Sequence, residues 1–73
     1  MAELNVESEI TGAVWKITTE IGARAEKGDV LMILESMKME IPVEATQAGT
    51  VVRILVSEGE TVSEGQPLVR LSD

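Results

Sequence analysis

Slid against itself by 37 residues, this chain places every glycine on another glycine: Gly12 on Gly49, Gly22 on Gly59 and Gly28 on Gly65. Apolar positions follow the same shift, with Val6 on Val43, Val14 on Val51, Ile17 on Ile54, Leu31 on Leu68 and Leu34 on Leu71. Polar residues join them, Glu7 on Glu44 and Lys16 on Arg53, and no gap is needed from Met1 to Asp73. Coincidence in a short sequence is the bland explanation, and the agreement of all six glycines speaks against it. A two-unit repeat restricts the fold sharply, because each unit is too short to bury a core alone and must pack on its mate. The expected arrangement is one domain over residues 1–73 with two halves about a pseudo-two-fold axis.

The glycines also mark turns. Ile21-Gly22-Ala23 and Glu58-Gly59-Glu60 lie between apolar stretches, as do Lys27-Gly28-Asp29 and Glu64-Gly65-Gln66. Such positions call for positive φ, which glycine alone adopts without strain. Between them run short β-rich stretches: AVWKI (13–17), VLMIL (30–34), EIPVEA (40–45), TVVRILV (50–56) and PLVRL (67–71). Closely spaced strands divided by turns predict an all-β sandwich or barrel. No window carries the helical apolar period over the ten or so residues that a helix needs.

Composition excludes several functions. With no cysteine and no histidine, the chain lacks a thiolate nucleophile, the commonest general base and the commonest metal ligand, so neither a catalytic nor a metal site is expected. Thirteen acidic residues against six basic ones give a net charge of −7, which opposes binding to nucleic-acid phosphates. The single aromatic, Trp15, provides no stacking platform and reads as core or half-buried strand, since its repeat mate is Val52. The run VLMIL is far too short to span a membrane, and the first residues lack the pattern of a signal peptide. A cytoplasmic domain without enzymatic activity of its own is the expectation.

One stretch breaks the local rules. If Met37 and Lys38 are the two turn residues in ESMKME (35–40), the cross-strand partners are Ser36/Met39, Glu35/Glu40, Leu34/Ile41, Ile33/Pro42 and Met32/Val43. Alternation then puts Met32, Leu34, Ile41 and Val43 on the core face. Two-residue hairpin turns favour positive φ at one or both central residues, so Asn-Gly suits them and Met-Lys does not. Holding a non-glycine residue there costs about 1–2 kcal/mol. Glu35 and Glu40 also face one another, which destabilises a strand pair. Two broken rules at one place mark a candidate functional site. An exposed lysine at a turn is ordinarily a solvated surface residue, however, and these residues alone leave the two readings balanced. Lys16 and Lys27 read as solvated surface charge. Met39 either packs over the sandwich end or, with Met37, offers a flexible, polarisable contact.

ESMKMEI resembles the attachment signature of the biotinyl domain family, the biotin carboxyl carriers, in which a lysine between two methionines receives biotin. EKGDVLMILESMKME and EATQAGTVVRILVSEGETVSEGQPLVRL extend the resemblance over nearly the whole chain. It implies a flattened β-barrel of two four-stranded antiparallel sheets with quasi-two-fold symmetry. Related lipoyl domains usually have Asp before and Ala or Ser after their lysine, so Met37 and Met39 favour biotin over lipoate. Some carriers have an inserted thumb loop in the first half. Here the halves superpose without a gap, so residues 17–30 leave no room for one, and the chain resembles the thumbless, stand-alone attachment proteins of bacteria.

The resemblance further implies a role for each residue. Lys38 receives biotin, flanked by Met37 and Met39, and a biotin protein ligase reads Glu35, Ser36 and Glu40 in the folded hairpin. Lysine side chains are almost wholly protonated at neutral pH, so the amide bond requires that enzyme. The loaded domain, monomeric in isolation, then carries carboxybiotin between biotin carboxylase and carboxyltransferase components. A lipoyl carrier and an unmodified β-sandwich binding module are the alternatives. Under the repeat Lys38 maps onto Met1 and Ser36 onto Asp73, so the hairpin tip is expected at the edge opposite the chain ends.

Overall fold

The computed structural model describes residues 3–73. Eight strands follow one another: β1 (Glu3–Glu7), β2 (Gly12–Ile17), β3 (Arg24–Ala25), β4 (Val30–Ser36), β5 (Met39–Glu44), β6 (Gly49–Ile54), β7 (Thr61–Val62) and β8 (Pro67–Ser72). They form two four-stranded antiparallel sheets, ordered β1-β8-β6-β3 and β5-β4-β2-β7. The described residues include no helix, and so none long and apolar enough to cross a membrane. The all-β expectation holds.

The repeat is visible bond by bond. A shift of 37 turns β2 into β6 and β3 into β7 with identical bounds. Gly22 N–H donates to Val51 O at 2.7 Å, and its mate Gly59 N–H donates to Val14 O at the same distance. Gly28 N–H donates to Ala45 O at 2.9 Å, as Gly65 N–H does to Ser8 O at 2.7 Å. Each of these four glycines has φ between 85° and 94°, as their turn positions require. Gly12 and Gly49 serve differently. A Cβ on Gly12 would lie 2.6 Å from Glu35 O, and one on Gly49 would lie 2.9 Å from Ser72 O, so glycine here lets two strands approach.

The halves are interlocked more deeply than two packed units. In each sheet the central pair comes from one half and both edge strands come from the other. The buried core is correspondingly paired: Val6 with Val43, Val14 with Val51, Ala25 with Val62, Leu31 with Leu68, Met32 with Val69 and Leu34 with Leu71. Each pair removes apolar surface from water at about 25 cal/mol per Å², which is the main favourable term available to so small a domain. The one buried hydroxyl in a loop, that of Ser8, donates to Ile10 O at 2.6 Å.

Bulges repeat as well. The register of β2 against β4 shifts between Val14 and Lys16, and that of β6 against β8 shifts between Val51 and Arg53. Trp15 occupies the first bulge and is therefore not core. It is 49% exposed, and the following Lys16 is exposed too. An extra residue in one strand breaks the alternation of faces, so the indole and the next side chain both stand away from the core. Pro42 lies in β5, an edge strand, where its missing N–H discourages pairing with another chain.

Candidate functional site

The hairpin of β4 and β5 has the register its residues predict. Ser36 faces Met39, Glu35 faces Glu40, Leu34 faces Ile41, Ile33 faces Pro42 and Met32 faces Val43. Met32, Leu34 and Val43 are buried, and Ile41 is partly buried, so the base of the hairpin is clamped into the core. The tip is the opposite. Met37 has φ of 52° and Lys38 φ of 68°, the only non-glycine residues with positive φ among those described. Positive φ at both central residues defines a type I′ turn, the form whose twist matches an antiparallel hairpin.

The pleat therefore dictates the turn, and the residues occupying it are there in spite of their backbone preference. Each left-handed residue costs about 1–2 kcal/mol, in a fold whose other left-handed positions are all glycine. The lysine is thereby fixed at the apex with its backbone over-determined. Met37 is 92% exposed, Met39 is 64% exposed, and Lys38 is exposed between them. Met39 does not pack over the end of the sandwich. Among the described residues the Lys38 ammonium has no hydrogen bond and no ion pair within 4 Å. One rung below, Glu35 and Glu40 oppose each other, both exposed.

The stem of the tip is held from the side. Ser36 Oγ donates to Thr11 O at 3.1 Å, tying the last residue of β4 to the loop before β2. Directly under this point, Gly12 admits the Glu35 carbonyl where any Cβ would collide. Lys38, Met37, Met39, Glu35, Ser36 and Glu40 are thus gathered on one apex. Sequence reasoning missed the support from Thr11 and Gly12. The one available signal was that Gly12 repeats as Gly49 without any turn residue around either.

The other lysines are placed differently. Lys16 lies on β2 opposite Ile33. Lys27 occupies the turn closed by the Asp29 N–H to Glu26 O bond, where Gly28 takes the positive φ. A groove of about 460 Å³ runs beside Val6, Glu7, Ile41, Val43 and Glu44. It contains repeat mates from both halves and none of residues 35–40, so it marks the meeting of β1 and β5 and not the exposed amine.

Glu3 and Ser72, the mates of Glu40 and Glu35, pair with each other in the other sheet. The repeat axis thus exchanges the lysine hairpin with the strands that carry the described ends of the chain. Met1, the expected mate of Lys38, lies outside the described residues.

Known proteins are similar to this chain in sequence and fold. The family described as biotin-requiring enzyme, of the biotin/lipoyl type, matches residues 3–71. The biotin/lipoyl attachment protein of Bacillus subtilis is 41% identical over 70 residues, 96% of either chain. The biotinylated protein TB7.3 homologue of Mycobacterium leprae is 44% identical over 72 residues, covering 99% of this chain and all of that one. Among solved structures, the urea carboxylase of Kluyveromyces lactis superposes with a TM-score of 0.92 at 35% identity, over 99% of this chain and 6% of that one. The chain is therefore a member of the biotin/lipoyl family, whose fold it reproduces with an exposed lysine at the apex of its central hairpin.

Proposed function

We propose that the chain is a single biotinyl domain over residues 1–73 and that Lys38 is the residue to which biotin is attached. The protein is a biotin carrier of the kind used by carboxylases, a bearer of the cofactor and not a catalyst. The carrying observation is an unpartnered lysine held at positive φ on the exposed apex of a core-anchored hairpin. These residues fit the group: Lys38 supplies the amine for an amide, and the surrounding tip provides no carboxylate close enough to hold that amine back.

Biotin, once attached, supplies a ring nitrogen that takes up and gives away a carboxyl group. The chain's own contribution is presentation. The rigid stem fixes where the arm begins, and tethering raises the local concentration at partner sites into the millimolar range or so. Met37 and Met39 offer adaptable contacts to more than one partner surface. The partners are carboxylase components, in finer detail a biotin carboxylase and a carboxyltransferase, served by the domain as a monomer. A biotin protein ligase loads it, reading Glu35, Ser36 and Glu40 in the folded turn.

The test is expression with biotin and ligase, followed by streptavidin blotting of the wild type and Lys38→Arg. Signal on the wild type and none on the variant is the expected result. No wild-type signal removes the carrier reading, and signal on both moves the site elsewhere. The B. subtilis relative is named for lipoate as well as biotin, so the same expression with a lipoate ligase is the companion assay. The methionine flanks lead us to expect the biotin adduct by intact mass.

A further inference from the structure

The pseudo-two-fold axis supplies an internal control for the surface. Any outward residue that the fold itself requires should recur, in kind, at its mate on the other sheet. On the outer face of the lysine sheet, Ile33 stands between buried Met32 and Leu34 and is flanked in register by Lys16 on β2 and Pro42 on β5. Trp15 projects from the bulge beside it, 49% exposed. In register the row across three strands reads Lys16, Ile33 and Pro42, with the bulged Trp15 next to Lys16 in the chain.

The mate positions are Val52, Arg70 and Asn5, with the same register: Arg53 faces Arg70, and Arg70 faces Asn5. There Arg70 Nε donates to Asn5 Oδ1 at 3.0 Å, and Arg70 Nη1 lies 3.8 Å from Glu3 Oε1. One backbone thus carries a self-satisfied polar lattice on one face, and on the other Ile33 and Pro42 in register with Lys16, next to the half-exposed Trp15. The fold does not require the second arrangement.

The charges diverge in the same way. Glu3 has Arg70 beside it, whereas its mate Glu40 faces Glu35, and the place of the arginine is taken by Ile33. Among the described residues neither Glu35 nor Glu40 has a cation within 4 Å. The Ile33–Pro42 pair, the uncompensated acidic rung and the Lys38 tip follow one another along β4 and β5, with Trp15 on the neighbouring β2.

Resting on the assignment of Lys38 as the attachment residue, we propose that this face is the docking surface for the enzyme that acylates Lys38. The complementary surface is a recess for the Trp15 indole and the Ile33–Pro42 ridge, with basic side chains opposite Glu35 and Glu40. Large aromatic anchors concentrate binding at interfaces, and opposed charges steer and orient the encounter. The acylating enzyme is the occupant favoured here because it meets the domain before any cofactor is present. It must distinguish Lys38 from Lys16 and Lys27 by protein surface alone, whereas later partners also grip the cofactor.

The test uses the purified unmodified domain and the biotin protein ligase of its own cells. Trp15→Val, Ile33→Arg and Pro42→Asn each install the residue that the mate position already accommodates. The combined variant should keep a cooperative thermal transition and its kcat at saturation, while the KM for the domain rises about tenfold or more. The mirror change Val52→Trp should leave KM unaltered. With 5-fluorotryptophan, Trp15 gives the single fluorine signal of the chain, which should shift or broaden when unlabelled ligase is added. An unchanged KM in the combined variant, or a fluorine signal unmoved by ligase, overturns the docking surface even if carrier turnover with a carboxylase is impaired. A wild type that is not modified at Lys38 sinks the assignment on which the proposal rests, and peptide mass mapping reads that outcome separately.

Discussion

Replacing Met37 with Asn and Lys38 with Gly should make the domain more stable. Both residues sit at positive φ, 52° and 68°, in the turn where Asn-Gly is the preferred pair. Relieving two left-handed non-glycine residues returns about 1–2 kcal/mol each, less the roughly 0.5–1 kcal/mol that glycine gives back through greater freedom in the unfolded chain. The net expectation is a gain of about 1–3 kcal/mol, and a domain of this size moves about 4–8 °C in Tm per kcal/mol. Met37→Asn alone, which keeps the lysine, should give about half of it. Gly22→Ala calibrates the scale in the other direction. Its φ is 94° and nothing lies within 4 Å of an added Cβ, so its loss of about 1–2 kcal/mol is purely conformational. Thermal and urea unfolding followed by circular dichroism read all three. A double variant no more stable than the wild type, beside a Gly22→Ala variant that does lose stability, would refute the claim that strain is held at the tip.

Gly12→Ala and Gly49→Ala, which drive a Cβ to 2.6 and 2.9 Å from backbone carbonyls, should each cost about 1–3 kcal/mol by urea unfolding. Only Gly12→Ala, beneath the lysine hairpin, should also slow biotinylation of Lys38. Ser36→Ala removes the bond to Thr11 O and should speed amide exchange at residues 37–39, with a global loss of no more than about 1 kcal/mol. Glu40→Lys turns a like-charge pair into an opposite-charge pair, gaining roughly 0.2–1 kcal/mol at low salt and less in high salt, by urea titration at two ionic strengths. Lys38→Arg should leave Tm unaltered while abolishing the adduct.

The hairpin was legible in the sequence because everything that fixes it is local. Alternation of Met32, Leu34, Ile41 and Val43 sets the register, and the register leaves only Met37 and Lys38 for the turn. The four turn glycines were readable for a similar reason, since each lies between apolar strands. Strands β1, β3 and β7 were not assigned from the residues themselves: β1 carries few apolar residues, and β3 and β7 are two residues each and show no period. The exchange of edge strands between the halves escaped as well, being a property of pairings distant in sequence. Of the two readings of Trp15, half-buried strand holds and core does not, since a bulge leaves no mark on composition yet turns the residue outward. Gly12 showed its importance only once the Glu35 carbonyl was seen against it. The six residues expected at the site did come together, as they must when consecutive residues form a single turn.

The most direct measurement is peptide mass mapping of the protein isolated from its own cells. The account predicts a biotinyl group on the peptide containing Lys38, with Lys16 and Lys27 unmodified. A bare Lys38 in biotin-replete cells, or the group on either other lysine, would contradict it.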